Sequence, residues 1–209
     1  MKYLKILGLV ALAAAALAAL VGASASATVL CKAEENPCSE ANEYPKGTSA
    51  DGSLGESSAI FTDTSGKTVL VTCTGGTVKG ELEFPGSKTE TPRGKGTAEN
   101  VKWTGCSTTM HTIAGGEVEI HHIAGTHDGT VVLKSFKTTL NVLGVSCVYG
   151  YGAGTDIGVL RGGPKPTLEI NAVLNEEEPK KFLCPDTAKG QATGILTEPA
   201  ELPVYVEPE

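Results

Sequence analysis

Six cysteines, all placed after the first 30 residues, constrain this 209-residue chain more than any other feature. They are Cys31, Cys38, Cys73, Cys106, Cys147 and Cys184. An even number of cysteines in an exported chain is typical of a disulfide framework. A zinc site would favour cysteine pairs at CxxC-like spacing, whereas the closest pair here, Cys31 and Cys38, is separated by six residues. The pattern therefore predicts three disulfides.

The N-terminal segment 1–27 has the pattern of a secretory signal peptide. Lys2 and Lys5 form a positive start, and an almost unbroken apolar run follows from 6 to 21. Ala25-Ser26-Ala27 supplies the small-residue cleavage site. We therefore expect a secreted protein in an oxidising, extracellular environment, which agrees with the prediction of disulfides.

The remaining chain, 28–209, has the length of a single domain, and we predict one secreted β-domain with a loop-rich N-terminal part at 28–55. The full sequence has 17 basic and 24 acidic residues, a formal net charge of −7. Such an acidic chain is a poor nucleic-acid binder, because that binding depends on Lys and Arg neutralising phosphates. No second apolar stretch of membrane length follows the first, so we predict no membrane span. We also expect a monomer.

Short segments of alternating apolar and polar residues, separated by glycines and prolines, predict β-strands. In Val78–Phe84, for example, Val78, Leu82 and Phe84 share one face of an extended chain. The predicted strands are Ser58–Thr62, Val69–Cys73, Val78–Phe84, Val101–Thr104, Glu117–Ile123, Thr130–Phe136, Thr139–Val145, Thr167–Leu174, Ala192–Thr197 and Pro203–Val206. Many strands at short spacing indicate an all-β fold, an antiparallel sandwich or barrel held by disulfides.

Turn residues divide these strands. Ser65-Gly66 and Asp128-Gly129 each lie between two predicted strands, and Asp-Gly tolerates the positive φ angles of a tight hairpin. The polar segment Gly86–Gly96 is too long for a tight hairpin, so we predict a surface loop. The glycine-rich segment Gly150–Gly163 lacks the spacing of a phosphate-binding loop, and turns with β-bulges are predicted there.

Six cysteines permit 15 pairings, and their spacing alone does not choose among them. Short loops close most easily, which favours Cys31 with Cys38. For the others we predict Cys73 with Cys106 and Cys147 with Cys184, because these pairs join neighbours along the chain. Each disulfide would stabilise the fold by about 2–4 kcal/mol.

The histidines do not predict a metal centre. His121 and His122 are adjacent, so they point to opposite faces of a strand and cannot converge on one ion. The alternative is a copper or zinc site formed across a hairpin by His121, His127 and Asp128. Histidines beside a turn are more often simply solvated, so we expect neither a metal nor a cofactor.

No catalytic motif is complete in this sequence. Gly144–Val148 approaches the G-x-S-x-G nucleophile elbow but lacks its last glycine. Two pairs of glutamates offer the carboxylates that a glycosidase needs, yet each pair lies on the polar side of an amphipathic strand. These pairs are Glu81 with Glu83 and Glu117 with Glu119. We therefore predict no catalysis, with an extracellular hydrolase of polysaccharide or peptide as the alternative.

Tyr149 and Tyr151 are the strongest candidate binding residues. In an extended chain they point the same way, and the glycines beside them would leave their ring faces accessible. Stacked tyrosines suit a sugar or a Pro-rich peptide. The alternative is that the rings cover a sheet end or that one packs on Trp103. We predict a non-catalytic extracellular binding or cell-surface module, with a structural cell-envelope component as a further alternative.

A set of short motifs extends over most of the chain after the leader. They are Leu30-Cys31, Pro37-Cys38 followed by Asn42 and Tyr44, the strand Lys67–Cys73, Gly162-Gly163, Leu183-Cys184-Pro185 and Pro203–Val206. In these motifs the chain resembles a group of uncharacterised secreted bacterial proteins. The resemblance implies one exported, disulfide-linked β-domain and implies no activity or functional residue. Members often carry further cysteines near the middle, which leaves the partner of Cys106 open.

Overall fold

A computed structural model describes residues 28–55, 57–86, 92–95, 100–151, 154–177, 179–198 and 203–208. The predicted signal peptide lies outside these residues. The described part contains strands and no helix, and every strand pair is antiparallel. The strands are β1 (Thr28–Cys31), β2 (Gly52–Ser53), β3 (Ala59–Asp63), β4 (Val69–Val78), β5 (Glu81–Phe84), β6 (Arg93–Lys95), β7 (Val101–Cys106), β8 (Met110–Ala114), β9 (Glu117–His122), β10 (Gly129–Lys134), β11 (Lys137–Val142), β12 (Val145–Gly150), β13 (Thr155–Arg161), β14 (Thr167–Glu176), β15 (Thr187–Leu196) and β16 (Tyr205–Pro208). The predicted all-β, antiparallel class is confirmed.

Fourteen strands form one sheet with the main order β2-β4-β3-β15-β14-β13-β10-β9-β6-β5. β7 pairs with β4, while β8, β11 and β12 join the sheet through the C-terminal end of β14. The segment directly ahead of β2 bridges the two ends of this order. Thr48 accepts a backbone hydrogen bond from Leu82 of β5, and Ala50 donates one to Gly80, both at 2.9 Å. The sheet therefore closes on itself around an interior.

β1 and β16 form a separate two-stranded sheet, with Thr28 opposite Pro208 and Cys31 opposite Tyr205. Leu30 and Val206 belong to the main core, so this small sheet packs against the large one. The loop after β1 has few regular strand pairings until β2, which is where the sequence predicts a loop-rich N-terminal part.

All six cysteines are paired, and the pairing predicted from chain locality is confirmed. Cys31 bonds Cys38 within the loop after β1, and Cys147 bonds Cys184 between β12 and the loop before β15. Cys73 and Cys106 are bonded partners directly opposite each other on β4 and β7. The partner of Cys106, which the resemblance leaves open, is thus Cys73.

Most predicted strands are present, but two are wrong in extent. The predicted strand Val78–Phe84 is interrupted between β4 and β5, and the predicted strand Thr139–Val145 includes the β11–β12 turn, where φ is positive at Leu143 and Gly144.

The glycine-rich segment predicted as turns contains β13. Gly158 opposes Val131 at a register shift between β10 and β13, so the predicted bulge is confirmed. The predicted turns are wrong over Thr155–Arg161, while residues 152–153 lie outside the described residues. A Cβ atom at Gly158 would lie 1.8 Å from the carbonyl oxygen of Glu169, and φ there is 150°. Glycine allows the neighbouring strand to approach this closely.

The two predicted turns have different outcomes. Ser65-Gly66 turns as predicted, with φ of 70° at Gly66. The Asp63 carboxylate accepts hydrogen bonds from Ser65 and from the backbone of Thr68, and these hold the pKa of Asp63 below its usual range. The tight turn at Asp128-Gly129 is wrong, because β10 already begins at Gly129.

Close packing between strands, rather than a turn, explains why residue 129 is a glycine. A Cβ atom at Gly129 would lie 2.6 Å from a methyl group of Ile120. Gly129 is therefore needed for close contact between strands, while Gly125 supplies the positive φ of the longer β9–β10 loop. The predicted surface loop Gly86–Gly96 is also corrected, because β6 forms within it; residues 87–91 and 96 lie outside the described residues.

Candidate functional site

The closed sheet encloses a cavity of about 300 Å³. Side chains of β4, β5, β7, β9, β10, β13, β14 and β15 build its wall. The apolar wall residues on these strands are Val78, Leu82, Val101, Trp103, Val118, Ile120, Val131, Leu133, Ile157, Leu160, Leu168, Ile170, Ala172, Leu174, Ala192 and Leu196. Other apolar lining residues are Leu30, Tyr44, Ala50, Phe61, Phe136, Tyr151 and Val204. A hydrocarbon lining of this kind suits an apolar ligand.

Strict alternation along β14 provides one side of the wall. Leu168, Ile170 and Ala172 face inward, whereas Glu169 and Asn171 face solvent. Successive side chains of a strand point to opposite faces, so this pattern places an unbroken apolar row on the cavity. The sequence predicted this strand, but alternation alone does not show whether the inner face meets a packed core or a space.

Several wall residues face inward and yet are only partly buried. Val118 and Ile120 on β9, and Leu168 and Ile170 on β14, all have intermediate exposure. All four line the cavity, so part of their exposed area faces the cavity rather than the bulk solvent. Contact between opposite walls is therefore incomplete in this part of the molecule.

Trp103, the single tryptophan of the chain, stands in the wall. Its indole Nε1 donates a hydrogen bond to Thr112 Oγ1 at 3.1 Å, and its ring meets Phe61 edge-on at 5.8 Å. A Cβ atom on the opposite residue, Gly76, would lie 3.1 Å from the indole ring. Gly76 therefore gives Trp103 room, and Trp103 lines both the main cavity and a neighbouring space of about 90 Å³.

One end of the cavity is formed by Leu30 of β1, Tyr44 and Val204. The Tyr44 hydroxyl donates a hydrogen bond to the carbonyl oxygen of Pro203 at 2.8 Å, and Lys32 Nζ lies 5.6 Å from the Tyr44 ring centroid. Burial raises the pKa of Tyr44 to about 12, so the phenol is neutral at ordinary pH. The small β1–β16 sheet thus closes this end with an uncharged surface.

The charged lining residues lie at an exposed rim. Among the described lining residues these are Lys79, Glu81 and Glu198. Lys79 Nζ is 3.5 Å from a carboxylate oxygen of Asp51, and the backbone nitrogen of Glu198 donates to the carbonyl of Asp51 at 3.3 Å. Charge among the described lining residues is therefore confined to the solvent side, and the rest of the lining is apolar apart from glycines and the uncharged polar residues Thr48, Ser49 and Gln191.

The predicted tyrosine platform is corrected by burial. Tyr149 is 0% exposed and Tyr151 is 3% exposed, so neither ring presents a face to solvent. The Tyr149 hydroxyl donates to the carbonyl of Pro185 at 3.0 Å, and burial raises the pKa of Tyr149 to about 12. Tyr151 packs near Phe136 and lines the inner end of the cavity. A binding role for these tyrosines stays a prediction, but the accessible rings on which it was based are absent.

The other candidate residues are dispersed. His121 lies 3.7 Å from Glu119, whereas His127 lies against Glu34 and Glu207. Asp128 binds Arg161 instead, with 2.8 Å between the carboxylate and the guanidinium. The predicted alternative of one metal site across the hairpin is therefore not assembled.

The candidate catalytic residues are occupied in other ways. Gly144–Val148 contributes to the β11–β12 turn and to β12, with Cys147 in its disulfide. Glu119 is bound by Lys134 at 2.5 Å, while Glu81 lies at the cavity rim. The cavity itself was missed from the sequence, because its wall residues carry the same pattern as an ordinary core.

Comparison of the chain with protein-family models, with curated proteins and with solved structures finds no match. Within the described residues, no helix is long and apolar enough to cross a membrane. Of the resemblance to secreted bacterial proteins, the structure supports the coarser part: a mostly β chain whose six cysteines form three disulfides.

Proposed function

We propose that this protein is a secreted binding protein that holds a small, uncharged, mostly hydrocarbon ligand inside its closed sheet. The apolar cavity of about 300 Å³ carries the proposal. Its volume lies at the lower end of the range typical of small-molecule sites. If each non-hydrogen atom of the ligand, with its hydrogens, occupies about 30 Å³, as a water molecule does in the liquid, the cavity accommodates about ten non-hydrogen atoms.

Packing energetics favour a binding role for this space. Apolar side chains that face an unfilled space lack the van der Waals contacts that a close-packed core provides. An apolar ligand would restore these contacts without requiring any hydrogen bond from the wall.

The wall chemistry also defines what the ligand lacks. A charged group inside would be desolvated without a partner of opposite charge, because the charged residues of the described lining are confined to the rim. We therefore narrow the predicted extracellular ligand from a glycan or peptide to a compact apolar molecule. Binding is favoured over hydrolysis because the described wall offers hydrocarbon rather than convergent acids and bases.

Trp103 supplies a direct assay, since the only indole of the chain lies in the wall. The oxidised protein is titrated with 1-naphthylamine, an uncharged apolar fluorophore that matches the cavity in size, while Trp103 emission and energy transfer are recorded. We expect saturable binding of one probe per chain with Kd on the order of 1–100 µM. Decanol should displace the probe.

Ala192→Leu fills part of the cavity and should weaken probe binding at least about tenfold, because the added side chain occupies ligand volume. Thr193→Leu is the matched control, since Thr193 is the exposed neighbour on β15. Probe binding that does not saturate, or that is equally weakened by both substitutions, would refute a ligand site in this cavity.

A further inference from the structure

Three segments that are distant in sequence meet at His127, in the loop between β9 and β10. Its Nδ1 lies 2.5 Å from Oε1 of Glu207 on β16, and its Nε2 lies 3.3 Å from Oε1 of Glu34, in the loop after β1. The imidazole also meets the ring of Tyr205 edge-on at 5.7 Å. The histidine is therefore held in one orientation with a carboxylate on each side.

The two carboxylates differ in their surroundings. Glu207 is completely buried at 0% exposure, whereas the Glu34 side chain is 65% exposed. Oε2 of Glu207 is buried and has no hydrogen-bond partner among the described residues. A buried carboxylate that receives so little support is expensive, which indicates a role beyond packing.

The buried carboxylate determines which ring nitrogen is available. When Glu207 accepts the Nδ1–H of His127, the lone pair of Nε2 is directed outward toward Glu34. Carboxylate, histidine and metal are arranged in this order in many zinc sites, where the buried acid orients the ring and increases its basicity.

The separation of the two outer atoms fits a shared ion. Zinc binds histidine nitrogen and carboxylate oxygen at about 2.0–2.2 Å in tetrahedral geometry, which places two ligand atoms about 3.3 Å apart. The Nε2 of His127 and Oε1 of Glu34 are 3.3 Å apart. We propose that His127 and Glu34 bind Zn²⁺, with water completing its coordination, and that Glu207 is the positioning residue.

Two other groupings lack these features. His121 and Glu119 are 3.7 Å apart, but Lys134 already binds Glu119 at 2.5 Å. Cys31, Glu35 and Cys38 also lie close together, yet the two sulfurs are joined in a disulfide and offer no thiolate. The His127 site is favoured over both groupings because its Nε2 lies 3.3 Å from the Glu34 carboxylate and because the buried Glu207 orients its ring.

Zinc at this site would join the loop after β1, the β9–β10 loop and, through the His127 ring, β16. Leu30 of β1 and Val204, just ahead of β16, form one end of the cavity. The ion would therefore clamp the small sheet that closes the cavity. Zinc binding does not depend on any cavity ligand, so the two proposals are tested separately.

The test is isothermal titration of the oxidised, full-length secreted protein with ZnCl₂ in a buffer that does not bind zinc. We expect one site per chain. Glu34→Gln and His127→Gln should each lower the affinity at least about tenfold, and Glu207→Gln should lower it about 10–100-fold. His121→Gln is the matched control and should leave the affinity unchanged.

Circular dichroism shows which variants are folded. Because Glu34 is exposed, Glu34→Gln tests the site even if the buried substitution at Glu207 prevents folding. Absence of zinc binding by the natural protein would overturn the proposal, as would equal affinities for the His127 and His121 variants. If a folded Glu207→Gln variant bound zinc with unchanged affinity, the positioning role of Glu207 would be contradicted.

Discussion

Two regions of the molecule share the same alternation of inward and outward side chains but pack differently. One lies around β11 and β12, and the other lies around β9 and the first half of β14. Leu140 and Tyr149 in the first region are 0% exposed. Ile120 and Ile170 in the second also face inward, yet they remain partly exposed to the cavity. We refer to these as the filled region and the cavity region.

This difference indicates that the size of side chains on neighbouring strands, as well as their polarity, decides whether an interior is filled. In the filled region Leu140, Cys147 and Tyr149 belong to the buried core, and the Cys147–Cys184 disulfide ties β12 to the loop before β15. The cavity wall contains small residues, Ala172 and Ala192, on adjacent strands. Small residues leave volume that the backbone, held by sheet hydrogen bonds, does not collapse to fill.

The largest expected contrast comes from shortening one leucine in each region. Leu140→Ala should destabilise the protein by about 3–5 kcal/mol, because it opens a new cavity in close-packed surroundings. Leu168→Ala should cost about 1–2 kcal/mol, since that side chain is only partly buried and borders a space, so less transfer free energy is lost. Urea unfolding of the oxidised proteins measures both values. Equal costs would show that the two regions are packed alike.

Adding volume should have opposite effects in the two regions. Ala188 and Ala192 are on the same face of β15, but Ala188 is 0% exposed while Ala192 borders the cavity. Ala188→Leu should destabilise by about 1–3 kcal/mol through overpacking. Ala192→Leu should be neutral or stabilise by up to about 1 kcal/mol. Thermal unfolding decides this, and the comparison fails if Ala192→Leu is the more damaging.

The smallest contrast between the two regions is expected in alkali, where both should behave alike. Burial raises the pKa of Tyr44, at the cavity end, and of Tyr149, in the filled region, to about 12. An unfolded tyrosine ionises near pH 10, so the unfolded chain releases these protons first. The stabilisation is therefore present below about pH 10 and is lost as pH rises toward about 12.

Urea midpoints between about pH 9 and pH 11.5 measure this loss. Tyr44→Phe and Tyr149→Phe should each flatten the pH dependence, because the substituted ring cannot ionise. Tyr205→Phe serves as a control on a tyrosine of the small sheet. A natural protein whose midpoint does not fall over this range would contradict the burial of both phenols.

Local chemistry was sufficient for most of the strands, for the Ser65-Gly66 turn and for the disulfide pairing, although β1 and β8 were not predicted. Strand alternation is a local property, and loop closure favours cysteines that are near in sequence. The same logic failed at Gly129 and in β13, where glycine serves close strand contact rather than a turn. A glycine required by a neighbouring strand cannot be distinguished locally from a glycine required by φ.

The candidate sites show the same limit. Tyr149 and Tyr151 do share a face, as predicted, but that face is the interior. Glu34, His127 and Glu207 are separated by 93 and 80 residues along the chain, so no motif could join them. The pairing of β1 with β16, together with the backbone hydrogen bond from Val206 to the carbonyl of His127, brings the two glutamates to the same histidine.

The amino-acid sequence by itself determined a cross-linked, antiparallel β protein, because alternation, turn residues and cysteine spacing act between neighbours in the chain. Tertiary structure alone decided which apolar rows meet and which enclose a space. That outcome depends on how the sheet curves and closes, and on the sizes of side chains from strands far apart in sequence. The apolar cavity and the His127 site both originate there.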